Sequence, residues 1–141
     1  MDNDIKNFYD STAHNYDKRH DNPTTRYMRG VEEKLIRKYA RGIVLDIGCG
    51  TGEHISKMKN AVGIDISSVM IKEAKKKASN DLRVGKAEDL PLRDNSFDTV
   101  IMLNVLNFCD AEKAQKEIHR VLKPGGTALV SVASTWDGKD A

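Results

Sequence analysis

The chain has 141 residues, enough for one domain and little more. Apolar residues make up 39% and charged residues 31%, and 23 basic against 21 acidic side chains leave a net charge of +2. These proportions fit a soluble domain with a single core and argue against a membrane span or a dedicated nucleic-acid binder. The opening Met1-Asp2-Asn3-Asp4 is acidic and polar, unlike a targeting signal. Cys49 and Cys109 form neither a disulfide framework nor a zinc pattern, and a reduced, cytoplasmic location is expected.

In chain order, residues 1–24 are polar and aromatic and are expected to form a loosely packed lid ahead of a core spanning 25–141. Thr25 to Tyr39 sets Met28, Val31, Leu35 and Tyr39 at spacings of three and four, which predicts a helix with that face inward. Gly42 to Ile47, a short apolar run ending in glycines, predicts the first strand, and Ala61 to Ile66 the second. Ser67 is placed to cap a helix running to about Ala78, with Met70, Ala74 and Ala78 inward and Lys72, Lys75 and Lys76 outward. Leu82 to Gly85 predicts a weaker strand and Phe97 to Leu103 a stronger one. Asp110 caps a further helix with Ala114, Ile118, Val121 and Leu122 inward. Lys123-Pro124-Gly125-Gly126 stops that helix before a last strand at Thr127 to Val132. Strands that are apolar without strict alternation, separated by helices, predict an α/β fold. It is Rossmann-like and doubly wound, a mostly parallel sheet of about five strands with helices on both faces.

The most informative segment is Asp46-Ile47-Gly48-Cys49-Gly50-Thr51-Gly52, between the first strand and an expected helix. Glycines there permit a tight turn and let a ligand approach the backbone closely. Counted from Gly48, the last glycine of G-x-G-x-x-G is replaced by Glu53, and no P-loop lysine follows. Asp46 and Glu53 would repel a pyrophosphate at the start of a helix, whereas Asp46 attracts an ammonium group. The cofactor that joins adenosine to an amino-acid ammonium is S-adenosylmethionine. Asp65, closing the second strand, is placed either to accept from two ribose hydroxyls or to serve as an acid at the helix start marked by Ser67.

The sequence resembles the class I S-adenosylmethionine-dependent methyltransferases of the ubiquinone/menaquinone-biosynthesis type. The resemblance runs in order through Phe8-Tyr9-Asp10 and Asn15-Tyr16-Asp17, Val44 to Gly52, and Gly63-Ile64-Asp65-Ile66-Ser67 with Met70. It continues through Ala87-Glu88-Asp89-Leu90-Pro91-Leu92, Asn95-Ser96-Phe97-Asp98, and Glu117 to Gly126. It implies that Gly48, Cys49 and Gly50 line the methionine end of the cofactor and that Asp46 orients its ammonium. It further implies that Asp65 holds the ribose, with Ile66 and Met70 against adenine and Ala87 and Glu88 at the adenine edge. Leu103 and Asn104 would lie beneath the methionine, and Tyr9 and Tyr16 would cover the pocket from the lid. The implied reaction is in-line methyl transfer to a small-molecule acceptor, leaving S-adenosylhomocysteine. The alternative is a cofactor-binding subunit or half of a split methyltransferase, inactive alone, with an RNA methyltransferase behind both.

Two departures stand out. Lys86 occupies the position where the family usually carries an acid that receives the adenine amino group, and a lysine cannot accept a hydrogen bond. The family also continues with two further strands, so the fifth strand is expected to present an unpaired edge. A second copy, a partner chain or the N-terminal segment could cover it, and Trp136 is a candidate for that contact. No general base is inherited, because Asn104-Val105-Leu106-Asn107-Phe108 carries no histidine. His14 and His20 flank the lid, as candidates for a base or as exposed polar residues, His54 is expected one turn into the loop helix in a structural role, and His119 is expected to face solvent or to pack. These four are too scattered to hold a metal. Cys49 fills the turn, Cys109 is expected to be buried, and the run Lys72, Lys75, Lys76, Lys77 with Arg83 and Lys86 reads as a solvated face or a phosphate contact.

Overall fold

The computed structural model of the protein describes residues 2–132, so Trp136 lies outside the described residues. Five strands form one parallel sheet in the order β3-β2-β1-β4-β5. They are β1 Val44–Ile47, β2 Ala61–Asp65, β3 Asp81–Val84, β4 Phe97–Leu103 and β5 Leu122–Ser131. The two central strands are almost entirely apolar and buried on both faces, as a covered parallel sheet requires. Successive residues alternate between the two sides. Leu45, Ile47, Val100 and Met102 pack into one core, whereas Val44 and Ile101 pack into the other.

Helices α1 (Asp2–Thr12), α2 (Tyr16–Arg19), α3 (Pro23–Tyr39), α4 (Ser68–Ala74) and α5 (Ala111–Val121) complete the fold. Helix α5 buries Ala114, Ile118 and Val121 against one face of the sheet, while α3 and α4 cover the other through Ile36, Ile71 and Ala74. The cap residues are as expected: Ser67 accepts from Met70 N–H and Asp110 from Lys113 N–H. Arg120 at the end of α5 donates to the carbonyls of Leu90 and Leu92 and pairs with Asp94 and Glu117. Glu117 in turn accepts from Leu90 N–H at 2.7 Å, so the β3–β4 connection is fastened to α5.

Three local expectations are corrected. The residues of α3 that bury are Glu32 and Ile36, whereas Met28, Leu35 and Tyr39 are 48%, 37% and 39% exposed. No α-helix follows the glycine loop, and a single 3-10 turn at Ile55–Lys57 takes its place. Only residues 48–60 separate β1 from β2, and the loop itself consumes the first five of them. Strand β5 begins at Leu122, opposite Phe97, and Lys123–Gly126 form an irregularity before pairing resumes at Thr127 opposite Thr99. The N-terminal segment packs on α4.

Candidate functional site

The sheet order reverses between β1 and β4, so the loops leaving their carboxyl ends diverge and open a crevice there. The glycine loop enters it from β1. Gly48 (φ +75) and Gly50 (φ +54) take left-handed conformations that L side chains rarely adopt. Gly48 and Cys49 N–H both donate to Ile64 O, at 2.7 and 3.0 Å, folding the loop back on β2. A Cβ on Gly48 would collide with Val105, but one on Gly50 meets nothing within 4 Å, so the loop presents bare backbone to open space there.

Asp65 joins the loop to the start of α4. Its Oδ2 accepts from Gly50 N–H and its Oδ1 from Ser67 N–H, both at 2.9 Å. Each oxygen keeps a lone pair, so the helix-start role and a role toward two hydroxyls are compatible. Burial pushes the Asp65 carboxyl up against those two N–H groups. Asp46 is 5% exposed. Burial pushes its pKa up to about 7; the nearby His54 pulls it down, and Asp65 and Glu32 push it further up.

The N-terminal segment lies across the crevice. Tyr9 packs on Tyr16 at 6.4 Å and edge-on to Phe108 at 6.3 Å, which ties the segment to the turn after β4. Burial pushes the Tyr9 hydroxyl up to about 12, with Tyr16 and Asp65 adding to it. Ser67 donates to Asp10, Thr51 donates to Asp17 at 2.6 Å, and Lys77 pairs with both Asp17 and Glu53. His20 stacks on Tyr16 at 4.1 Å, whereas His14 and His119 are exposed.

The remaining expected residues lie on α4, on the β3–β4 connection and at the end of β4. Ile66 is half-buried and Met70 is buried in the first turn of α4. Ala87 is buried and Glu88 half-buried, its carboxyl pushed up by burial and by Asp2. Leu103 ends β4, and Asn104 follows it with φ +59. Lys86 is paired with Asp2 at 2.9 Å, so a carboxylate of the N-terminal segment stands beside the position where the resemblance expects an acid. Cys49 packs its sulfur against the core beside Gly63, and burial raises its thiol pKa, as a turn-filling residue requires. Cys109 is half-buried.

Glu53 cannot carry the charge argument made for it, because Lys77 neutralises it. The acid that accompanies Asp46 is Glu32, a buried residue of α3 that the sequence reading did not single out. Its Oε2 meets His54 Nε2 and its Oε1 accepts from Asn104 Nδ2, each at 2.9 Å. Burial lowers the His54 pKa, but the Glu32 hydrogen bond and Asp46 outweigh it and hold the imidazole above its usual value. Asp10 and Asp17 were missed as well. Their signal was the Tyr-Asp pair repeated at residues 9–10 and 16–17. The basic run is largely paired, through Lys76–Glu73, Lys77–Asp17, Arg83–Asp81 and Lys86–Asp2.

The sequence profile of the methyltransferase-domain family matches residues 45–130. An uncharacterized protein of Methanocaldococcus jannaschii is 44% identical over 96% of this chain and 54% of its own length. The demethylmenaquinone methyltransferase of Chlorobaculum parvum is 36% identical over 89% of this chain and 58% of its own length. A SAM-dependent methyltransferase structure from Thermotoga maritima superposes with a TM-score of 0.75 at 29% identity, covering 89% of this chain and 60% of that one. The chain therefore spans little more than half the length of the relatives it matches. With its sheet order, glycine loop and Asp65 in place, the chain belongs to the class I S-adenosylmethionine-dependent methyltransferase family.

Proposed function

We propose that this chain binds S-adenosylmethionine in the crevice between β1 and β4 and takes part in methyl transfer to a small-molecule acceptor. The observation that carries the reading is the pair of hydrogen bonds that Asp65 accepts from Gly50 and Ser67 N–H, beside a loop whose Gly50 faces open space. The residues suit the cofactor's charges. Asp46 and Glu32 favour a cation and disfavour a phosphate. When bound, the cofactor supplies a methyl group activated by its sulfonium.

In this reading Asp65 holds the ribose, and Asp46 orients the ammonium above Gly48, Cys49 and Gly50. Ile66 and Met70 flank adenine, with Ala87 and Glu88 at its edge. Leu103 and Asn104 form the floor beneath the methionine. Tyr9 and Tyr16 close over the site and exclude water from the sulfonium, and residues 1–24 act as the lid of a core that starts near residue 25. The chain's contribution to the reaction is positioning and dryness, since the reactive charge belongs to the cofactor. The resemblance to quinone-biosynthesis enzymes supports a small-molecule acceptor. Cys49 and Cys109 are free, which fits a cytoplasmic protein, and no helix among the described residues is long and apolar enough to cross a membrane.

Calorimetric titration of the purified chain with S-adenosylmethionine and S-adenosylhomocysteine, with NAD as control, tests this directly. Micromolar binding of the first two and none of NAD is expected. A folded chain that binds neither overturns the reading.

A further inference from the structure

Glu32 lies on α3, outside the segment matched by the family profile, yet it is one of the few buried charged groups of the chain. A carboxylate at 8% exposure is costly unless its oxygens are satisfied. Both are, and by different elements: His54 belongs to the end of the glycine loop, and Asn104 to the end of β4. Asn104 is also held by Ser131, whose carbonyl and hydroxyl oxygens accept from its N–H at 3.1 and 3.0 Å. A left-handed non-glycine residue persists only where its surroundings over-determine it. Glu32 supplies that constraint through the side-chain amide and Ser131 through the backbone N–H. The Nδ1 of His54 is buried with no partner, so the imidazole is fixed through Nε2 and Glu32 alone.

We propose that Glu32 is a positioning residue for the methionine end of the cofactor, fixing Asn104 and His54 and adding a second carboxylate beside Asp46. The proposal rests on the crevice being the S-adenosylmethionine site. A tie between α3 and the sheet needs neither a charge nor a link to a strained residue at the end of β4. The acidic groups around the pair are Asp46 on β1, Asp65 on β2 and Glu33 on α3; Glu33 is paired with Lys57, Arg29 on α3 reaches the same Tyr16 as Glu32, and His54 is itself held toward its protonated form. Three buried carboxylates, Glu32, Asp46 and Asp65, still face one imidazole, so a cationic ligand is a counter-charge that this cluster accommodates.

The test compares E32Q, E32A and the double variant E32A/N104G with the unmodified chain. Each is titrated with S-adenosylmethionine and S-adenosylhomocysteine and melted without ligand, with D65A measured alongside. E32Q keeps the shape of the side chain and removes its charge. It is expected to weaken S-adenosylmethionine about tenfold and S-adenosylhomocysteine, which lacks the sulfonium charge, by less than about threefold. E32A is expected to weaken both. N104G should restore part of that loss, because glycine holds a positive φ without a side-chain anchor. Equal losses of the two ligands in E32Q, or no recovery in the double variant, would reduce Glu32 to a structural tie. Unchanged binding by E32Q while D65A fails overturns the proposal and leaves the crevice reading intact. A folded unmodified chain that binds neither ligand overturns both. Should E32A not fold, the ratio in E32Q decides.

Discussion

Gly50 and Asp65 are fifteen residues apart, and the N–H of the first donates to Oδ2 of the second at 2.9 Å. The same carboxylate accepts from Ser67 N–H, so one side chain sets the glycine loop and the start of α4 in a fixed relation. The proposed ribose site is thus already organised by the chain's own backbone.

Replacing Asp65 by alanine removes both anchors. Cofactor affinity is expected to fall by roughly 1 to 3 kcal/mol, since hydrogen bonds to a charged acceptor disappear. Calorimetry measures this, and an unchanged affinity in a folded variant would take Asp65 out of the site.

Asp46 predicts opposite effects on stability and binding. Its folded pKa of about 7 lies above the ordinary 3.8, so between those values the folded state binds more protons than the unfolded one. Its contribution therefore weakens stability as pH rises through that window, and the penalty is complete above it. D46N is expected to raise the melting midpoint at pH 8 by roughly 5 °C or more, and to weaken cofactor binding. In the unmodified chain a bound cation favours the ionised carboxyl, so binding near pH 6.5 should release protons. Titrations in buffers of different ionisation enthalpy measure that release, and none at all would remove Asp46 from contact with the cation.

The two loop glycines should respond differently to alanine. G50A meets open space and is expected to fold, at a cost of about 1 to 2 kcal/mol for a left-handed alanine, yet to lose cofactor binding. G48A adds a collision with Val105 to the same strain and should melt lower than G50A. Melting and titration of the pair separate a backbone needed by the fold from one needed by the ligand.

The N-terminal segment is held partly by exposed ion pairs, which salt screens. K77M removes the partner of both Asp17 and Glu53. Amide exchange across residues 2–19 should quicken roughly two- to fivefold at low salt, the scale of one or two such pairs. The difference from the unmodified chain should shrink in high salt. A difference that persists at high salt would mean that the aromatic contacts, and not Lys77, set the rate.

The strands were legible because their apolar runs are short and bounded by turn residues, and β1, β2 and β4 are buried on both faces. The caps were legible because Ser67 and Asp110 sit one residue before their helices. The face of α3 was not. Periodicity finds the apolar stripe of Met28, Leu35 and Tyr39, but the buried side is organised by Glu32, whose partners lie 22 and 72 residues away. A polar network closed over such separations leaves no local pattern. The helix expected after the glycine loop failed for a countable reason: a parallel crossover of 13 residues, 48–60, has no room for one once the loop is made.

The two walls of the crevice are built to different standards. Arg120 and Glu117 bolt the β3–β4 connection, through Leu90, Leu92 and Asp94, to a helix on one face of the sheet. The opposite wall is a strap held by Asp2, Asp10 and Asp17 and joined to α3 through residues 20–22. If the crevice is the cofactor site, entry to it would be one-sided: the strap is the wall that can lift about that joint, while the bolted wall keeps its place.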